Sequence, residues 1–150
     1  MLNPGRAAAA IGLAAVVIGA VTPVPAAATP ATGVDVQTLS KNTVDGVEYI
    51  VTRITVAPGG GTGWHYHPGE VFGFIAEGTM THWDVADDGT CVIDAVYDAG
   101  APVKEGVGPG FVHNGRNLGS TPLVMEVVYV NATGTPLSVE VPEPAGCPVS

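Results

Sequence analysis

Glycine and proline punctuate this chain so closely that long helices have no room: 21 Gly and 13 Pro fall among 150 residues. Each costs a helix interior about 1 (Gly) or 3 kcal/mol (Pro) relative to alanine. After residue 28 they gather in turn clusters, Pro58-Gly59-Gly60-Gly61, Asp87-Asp88-Gly89 and Gly108-Pro109-Gly110, with short runs rich in Val, Ile, Thr and Tyr between them. Such runs between such turns are strands. The stretch 47–56 reads as one, with Ile50, Ile54 and Val56 on one face, and 71–76, 79–85, 123–130 and 137–141 follow. Residues 29–46 read as an extended arm or edge strand, and the Pro-rich tail after Val141 as irregular. No window has a helical period and no internal repeat is evident. The expected class is all-β, a sandwich or barrel, and the jelly roll is a barrel that encloses a ligand cavity.

The N-terminus has a different character. Arg6 is the only charged side chain ahead of the apolar run Ala7 to Val21, which is shorter than the ~20 residues needed to span a bilayer. Pro23 and Pro25 follow, then the small residues Ala26-Ala27-Ala28. This is the layout of an export signal, with cleavage expected after Ala28; the alternative is an uncleaved anchor. Residues 29–150 then form one domain, with the barrel core at about 47–142. The net charge of −9, with only five Lys and Arg scattered singly, provides no basic stripe for phosphates. Nucleic acid is excluded as a partner on that ground, and stable association with an anionic membrane is disfavoured.

Export gives the two cysteines a meaning. Cys91 and Cys147 are the only pair, and in an oxidising compartment an isolated pair is expected to form a disulfide. It would tie the C-terminal tail to the middle of the chain.

The residues that carry chemistry are histidines. His65 and His67 are two apart, so on a strand both imidazoles face the same way. A third, His113, could complete a facial set that leaves positions open for water or substrate. The segment Gly63-Trp64-His65-Tyr66-His67-Pro68-Gly69-Glu70, running on to Glu77-Gly78, resembles the first motif of the cupin superfamily; Gly110-Phe111-Val112-His113-Asn114-Gly115-Arg116-Asn117 resembles the second. The two span roughly 60–118. The chain is most similar to small, secreted, single-domain bacterial cupins. That resemblance implies a jelly-roll barrel with a metal near its mouth, His65, His67 and His113 as ligands, and commonly a homodimer.

One position departs from the family pattern. Where cupins usually place a metal-binding glutamate, four residues after the second histidine, this chain has Val71, and Glu70 stands one residue early. On an unbroken strand Glu70 faces away from the histidines; a bulge at Pro68-Gly69 would re-aim it inward as the fourth ligand. Otherwise it is a solvent-facing carboxylate. Without a carboxylate, three imidazoles suit Fe, Cu, Zn or Ni better than Mn. His82, sharing a face with Met80 and Asp84, is expected at the surface, Asn117 is expected to tie the loop after His113, and Trp64 and Tyr66 are read as packing residues. Glu126, alone in the apolar run 124–130, is a candidate general acid or base if it faces the cavity; if it faces outward, it is exposed or paired with Arg116. Asn131-Ala132-Thr133 matches a glycosylation acceptor, but the bacterial character of the signal argues against its use.

Two functions follow. One is a metal-dependent enzyme, an oxygenase or isomerase of a small organic molecule. The other is a secreted protein that binds a metal or small ligand without turning it over. A shared fold does not choose between them.

Overall fold

The computed structural model describes residues 27–147, and among them there is no helix. Ten strands form one antiparallel jelly-roll sheet that curls into a barrel: β1 (Thr32–Val44), β2 (Val47–Gly61), β3 (His65–Tyr66), β4 (Glu70–Glu77), β5 (Thr79–Val85), β6 (Cys91–Asp98), β7 (Pro102–Glu105), β8 (His113–Arg116), β9 (Leu123–Ala132) and β10 (Val139–Glu140). The main path runs β10-β3-β8-β2-β9-β4-β7; β1 lies along β2, and β6 along β5. Apart from Ala27 and Ala28, the export signal expected over 1–28 lies outside the described residues. Among those described, no helix is long and apolar enough to cross a membrane.

The core follows from alternation in β2 and β9. Positions 48, 50, 52, 54 and 56 of β2 are buried, as are 123, 125, 127, 129 and 131 of β9, while the residues between them are more open. The two strands pair from Val47↔Ala132 to Val56↔Leu123, setting Ile50 opposite Tyr129, Ile54 opposite Met125 and Val56 opposite Leu123 on the inner face. Val71 and Ile75 of β4 and Met80 of β5 close the cluster. A side chain such as Leu123, fully buried, contributes roughly 1.5–3 kcal/mol. The inward face of 47–56 is as the alternation implies. So is the arm, which forms the edge strand β1, exposed along almost its whole length.

Two glycines let backbones approach where a side chain could not fit. Gly78 turns β4 into β5 at φ 78°, and a Cβ there would meet the Pro122 carbonyl. At Gly69 a Cβ would collide with the Asn131 side chain, so the Pro68-Gly69 step brings β4 directly against the end of β9. Asn117 ties its loop as expected: its amide donates to the Val56 and Thr121 carbonyls, and its oxygen accepts from Gly119 N–H.

Cys91, at the start of β6, is joined to Cys147 by a disulfide, with Cα atoms 5.3 Å apart and a sequence separation of 56. Constraining a loop of that length removes unfolded-state entropy worth about 4 kcal/mol. Cys91→Ser with Cys147→Ser should therefore lower Tm by on the order of 10–15 °C. Calorimetry of the oxidised and double-serine forms checks this, and equal Tm values would mean the bridge contributes nothing.

Candidate metal centre

The register between strands gathers the histidines. β3 pairs with β8 so that His65 is directly opposite His113, and their ring centroids lie 4.4 Å apart. His67 follows two residues on, its ring 4.7 Å from His65 and 5.1 Å from His113. All three are buried.

Their outer nitrogens are committed to the backbone. His65 Nδ1 lies 2.9 Å from the Gly63 carbonyl, His67 Nδ1 2.7 Å from that of Leu137, and His113 Nδ1 2.9 Å from that of Phe111. A carbonyl only accepts, so each Nδ1 carries the proton and each Nε2 turns inward, the arrangement found around bound metals.

The carboxylate of the cluster is Glu105. β7 pairs with β4 so that Glu105 is opposite Val71, the position where cupins usually carry their glutamate. Residues directly opposite on paired strands share a face, so the carboxylate arrives from the neighbouring strand at the place the valine leaves vacant. Glu105 Oε2 is 2.7 Å from His67 Nε2 and 3.3 Å from His113 Nε2. Ligand atoms of His65, His67, Glu105 and His113 all lie within 4.8 Å of one another. That is a few tenths wider than two ligands placed at ~2.0–2.2 Å on opposite sides of one ion. The cluster could hold a metal.

Glu70 is not in this cluster. Its side chain is 47 % exposed and faces Lys104 Nζ at 3.5 Å, as alternation along β4 dictates. Glu126 also lies on the outer face, paired with Arg53 across the β2–β9 register and not with Arg116. His82 departs from expectation in the other direction: it is buried, its ring stacked on His113 at 5.0 Å. Met80 and His82 do share a face, but pairing of β5 with β8, His82 opposite Gly115, turns that face inward. His82 Nδ1 is held by Asp94 at 2.6 Å, and its Nε2 is 3.8 Å from Glu105 Oε1. Glu105 itself went unread in the sequence. The signal was the alternation of Val103 and Glu105 in a short strand whose partner is not local.

The electrostatics show how tightly these groups are coupled. Burial, with His113 and His67 beside it, pushes His65 down to about 3. Burial also pulls on His113, but the adjacent Glu105 carboxylate outweighs it and the imidazole is raised. Burial opposes the Glu105 charge, yet its two histidine partners hold the carboxyl well below its ordinary range. Burial, with Glu105 nearby, raises the Tyr129 phenol to about 12. One contact calls for a cation. His65 Nε2 and His67 Nε2 are 3.1 Å apart, and with both Nδ1 atoms protonated two lone pairs face each other. His113 Nε2, also buried, has as its polar neighbour the same Glu105 oxygen that faces His67. The donor set fits a divalent metal.

Two cavities flank the histidine pair. An inner one of about 50 Å³ is lined by Ile54, Val71, Ile75, Met125 and Val127 with His65, His67 and Glu105. An outer one of about 140 Å³ lies under β1 and is bounded by Val34, Val36, Ser138 and Glu140.

Comparison with known proteins settles the family. The cupin domain family matches residues 52–130, more than half of the chain. The chain is a cupin. Among solved structures, oxalate oxidase in complex with the substrate analogue glycolate is 26% identical with a TM-score of 0.56, covering 73% of this chain and 55% of the oxidase. This cupin thus spans about half the length of that protein. A cupin domain from Bordetella pertussis Tohama I is 22% identical with a TM-score of 0.52, over 67% of this chain and 95% of that one. A conserved protein of unknown function from Streptococcus pyogenes is 16% identical with a TM-score of 0.51, over 67% and 76%. The latter two likenesses concern the fold. No curated protein matches.

Proposed function

We propose that this cupin binds a divalent transition metal through His65, His67, His113 and Glu105 and acts on a small organic molecule, as an oxygenase or isomerase. The observation that carries this reading is the set of inward Nε2 atoms, each fixed by a backbone carbonyl behind it and facing one buried carboxylate. A divalent cation placed among them would satisfy the three Nε2 atoms and the carboxylate together. The likeness to oxalate oxidase, a protein solved with glycolate, supports a small oxygen ligand.

Glu105 reopens the choice of metal. Valine at position 71 by itself disfavours Mn; a carboxylate from β7 removes that ground, and Fe, Mn, Cu, Zn and Ni all suit the donor set. When bound, the metal supplies a Lewis acid that polarises a coordinated oxygen. The chain does the rest. The Gly63, Leu137 and Phe111 carbonyls hold the imidazoles in one tautomer, Ile54, Val71, Ile75, Met125 and Val127 supply an apolar wall, and the Tyr129 hydroxyl stays protonated as a donor beside the site. We infer export as well, and the Cys91–Cys147 bridge, which an oxidising compartment favours, supports it.

Protein purified without chelator and re-exposed to Fe, Mn, Cu, Zn and Ni should retain about one ion per chain. His113→Ala should retain none. Retention of no ion by the wild type removes the proposal. With metal bound, dioxygen uptake or substrate loss across enediols, phenols and dicarbonyls identifies an enzyme. Ligand-dependent stabilisation without product supports the second reading, a secreted binding protein. That reading is favoured by one feature: apart from the four candidate ligands, the ionisable side chains lining the cavities are Tyr129 and Glu140.

A further inference from the structure

The chain has few cations, and the four described ones are absent from the walls of both cavities. Lys41 pairs with Glu48 at 2.7 Å, and Arg53 with Glu126. Lys104 lies over the Phe72 ring and faces Glu70. Arg116 stands where β8 meets β2, its aliphatic stem against Gly61. None of the four lines either cavity. The charges that do line them are carboxylates, Glu105 inside and Glu140 at the outer chamber.

Charge then restricts the ligand. Three neutral imidazoles, one carboxylate and a divalent ion sum to a single positive charge. A monoanion brings the buried site to neutrality. A dianion leaves a net negative charge among aliphatic walls, with Glu140 adding repulsion, and an uncompensated buried charge is strongly disfavoured. Size restricts it as well. The inner chamber, about 50 Å³ between Ile54, Val71, Ile75, Met125 and Val127, accepts only a small apolar body, while the outer one opens past the exposed Val36 and Glu140.

We propose that the centre takes a small oxygen chelator with an apolar body and at most one negative charge, such as an enolisable dicarbonyl, and rejects dianions such as oxalate. This rests on the metal-site reading above. It separates this cupin from the oxalate chemistry that the name of its structural neighbour would suggest.

The full chain loaded with cobalt(II) tests it by titration of the visible absorption bands, with bound cobalt assayed after each titration. Acetylacetone, which chelates as its monoanion and releases one proton to solvent, should bind at least tenfold more tightly than oxalate, a ligand of similar size. Removal of cobalt by oxalate without a bound complex counts as rejection. Val36→Arg places a cation at an outer-chamber position that is 56% exposed, so it needs no burial, and should strengthen oxalate binding about tenfold. Glu140→Gln should act in the same direction. Oxalate binding as tightly as acetylacetone, or indifferent to both substitutions, overturns the proposal. A chain that takes up no cobalt at all overturns the metal-site reading instead.

Discussion

Glu105→Gln should lower affinity for a divalent metal by more than about 100-fold, while Glu70→Gln leaves it unchanged. Loss of a partner that only supports a metal ligand costs 10–100-fold, so loss of a ligand should exceed that range. Glutamine keeps the size and shape of the side chain, so β7 stays paired with β4 and the barrel is not the casualty. What is lost is the charge beside His67 and His113. Glu70 carries the same charge one residue from Val71, but on the outer face against Lys104. Competition with a chromophoric chelator measures both variants. If Glu70→Gln loses the metal and Glu105→Gln keeps it, the carboxylate has been assigned to the wrong strand.

The metal-free protein should lose about 4 to 5 kcal/mol of stability as pH falls from 6.5 toward 3, chiefly through His65. Its folded pKa is depressed from 6.5 to about 3 by burial, then by His113 and His67. A depressed histidine makes no contribution above pH 6.5, where neither state is protonated. Below it the unfolded chain takes a proton that the folded chain refuses, at about 1.4 kcal/mol per pH unit. His113 has the opposite sign: its raised pKa contributes stability that is complete below 6.5 and fades as pH rises through the folded value. Over the acid limb that contribution is constant, so it does not hide the slope. Glu105, depressed in the fold, contributes stability above about 4.5 that is lost at lower pH, steepening the end of the decline. Urea unfolding of metal-free protein at pH 6.5, 5.5 and 4.5 reads the slope. His65→Gln should flatten it, and an unchanged slope in that variant sinks the assignment.

What was legible in the sequence is what depends on neighbours along one strand. The inward face of β2 followed from Ile50, Ile54 and Val56, and the common direction of His65 and His67 from their spacing. Both are set by the two-residue period of an extended chain, and turn clusters marked where each run stops. The pairing of Cys91 with Cys147 was legible for a different reason: no other partner existed. Tertiary structure alone decided the rest. Glu105 meets the histidines because β7 pairs with β4 at Val71; His82 is buried because β5 lies against β8; Glu126 faces out to Arg53 because β9 turns its odd positions inward. A strand's alternation says which residues share a face. Which face is inside, and which distant residue stands opposite, are properties of the register between strands, and no single strand contains them.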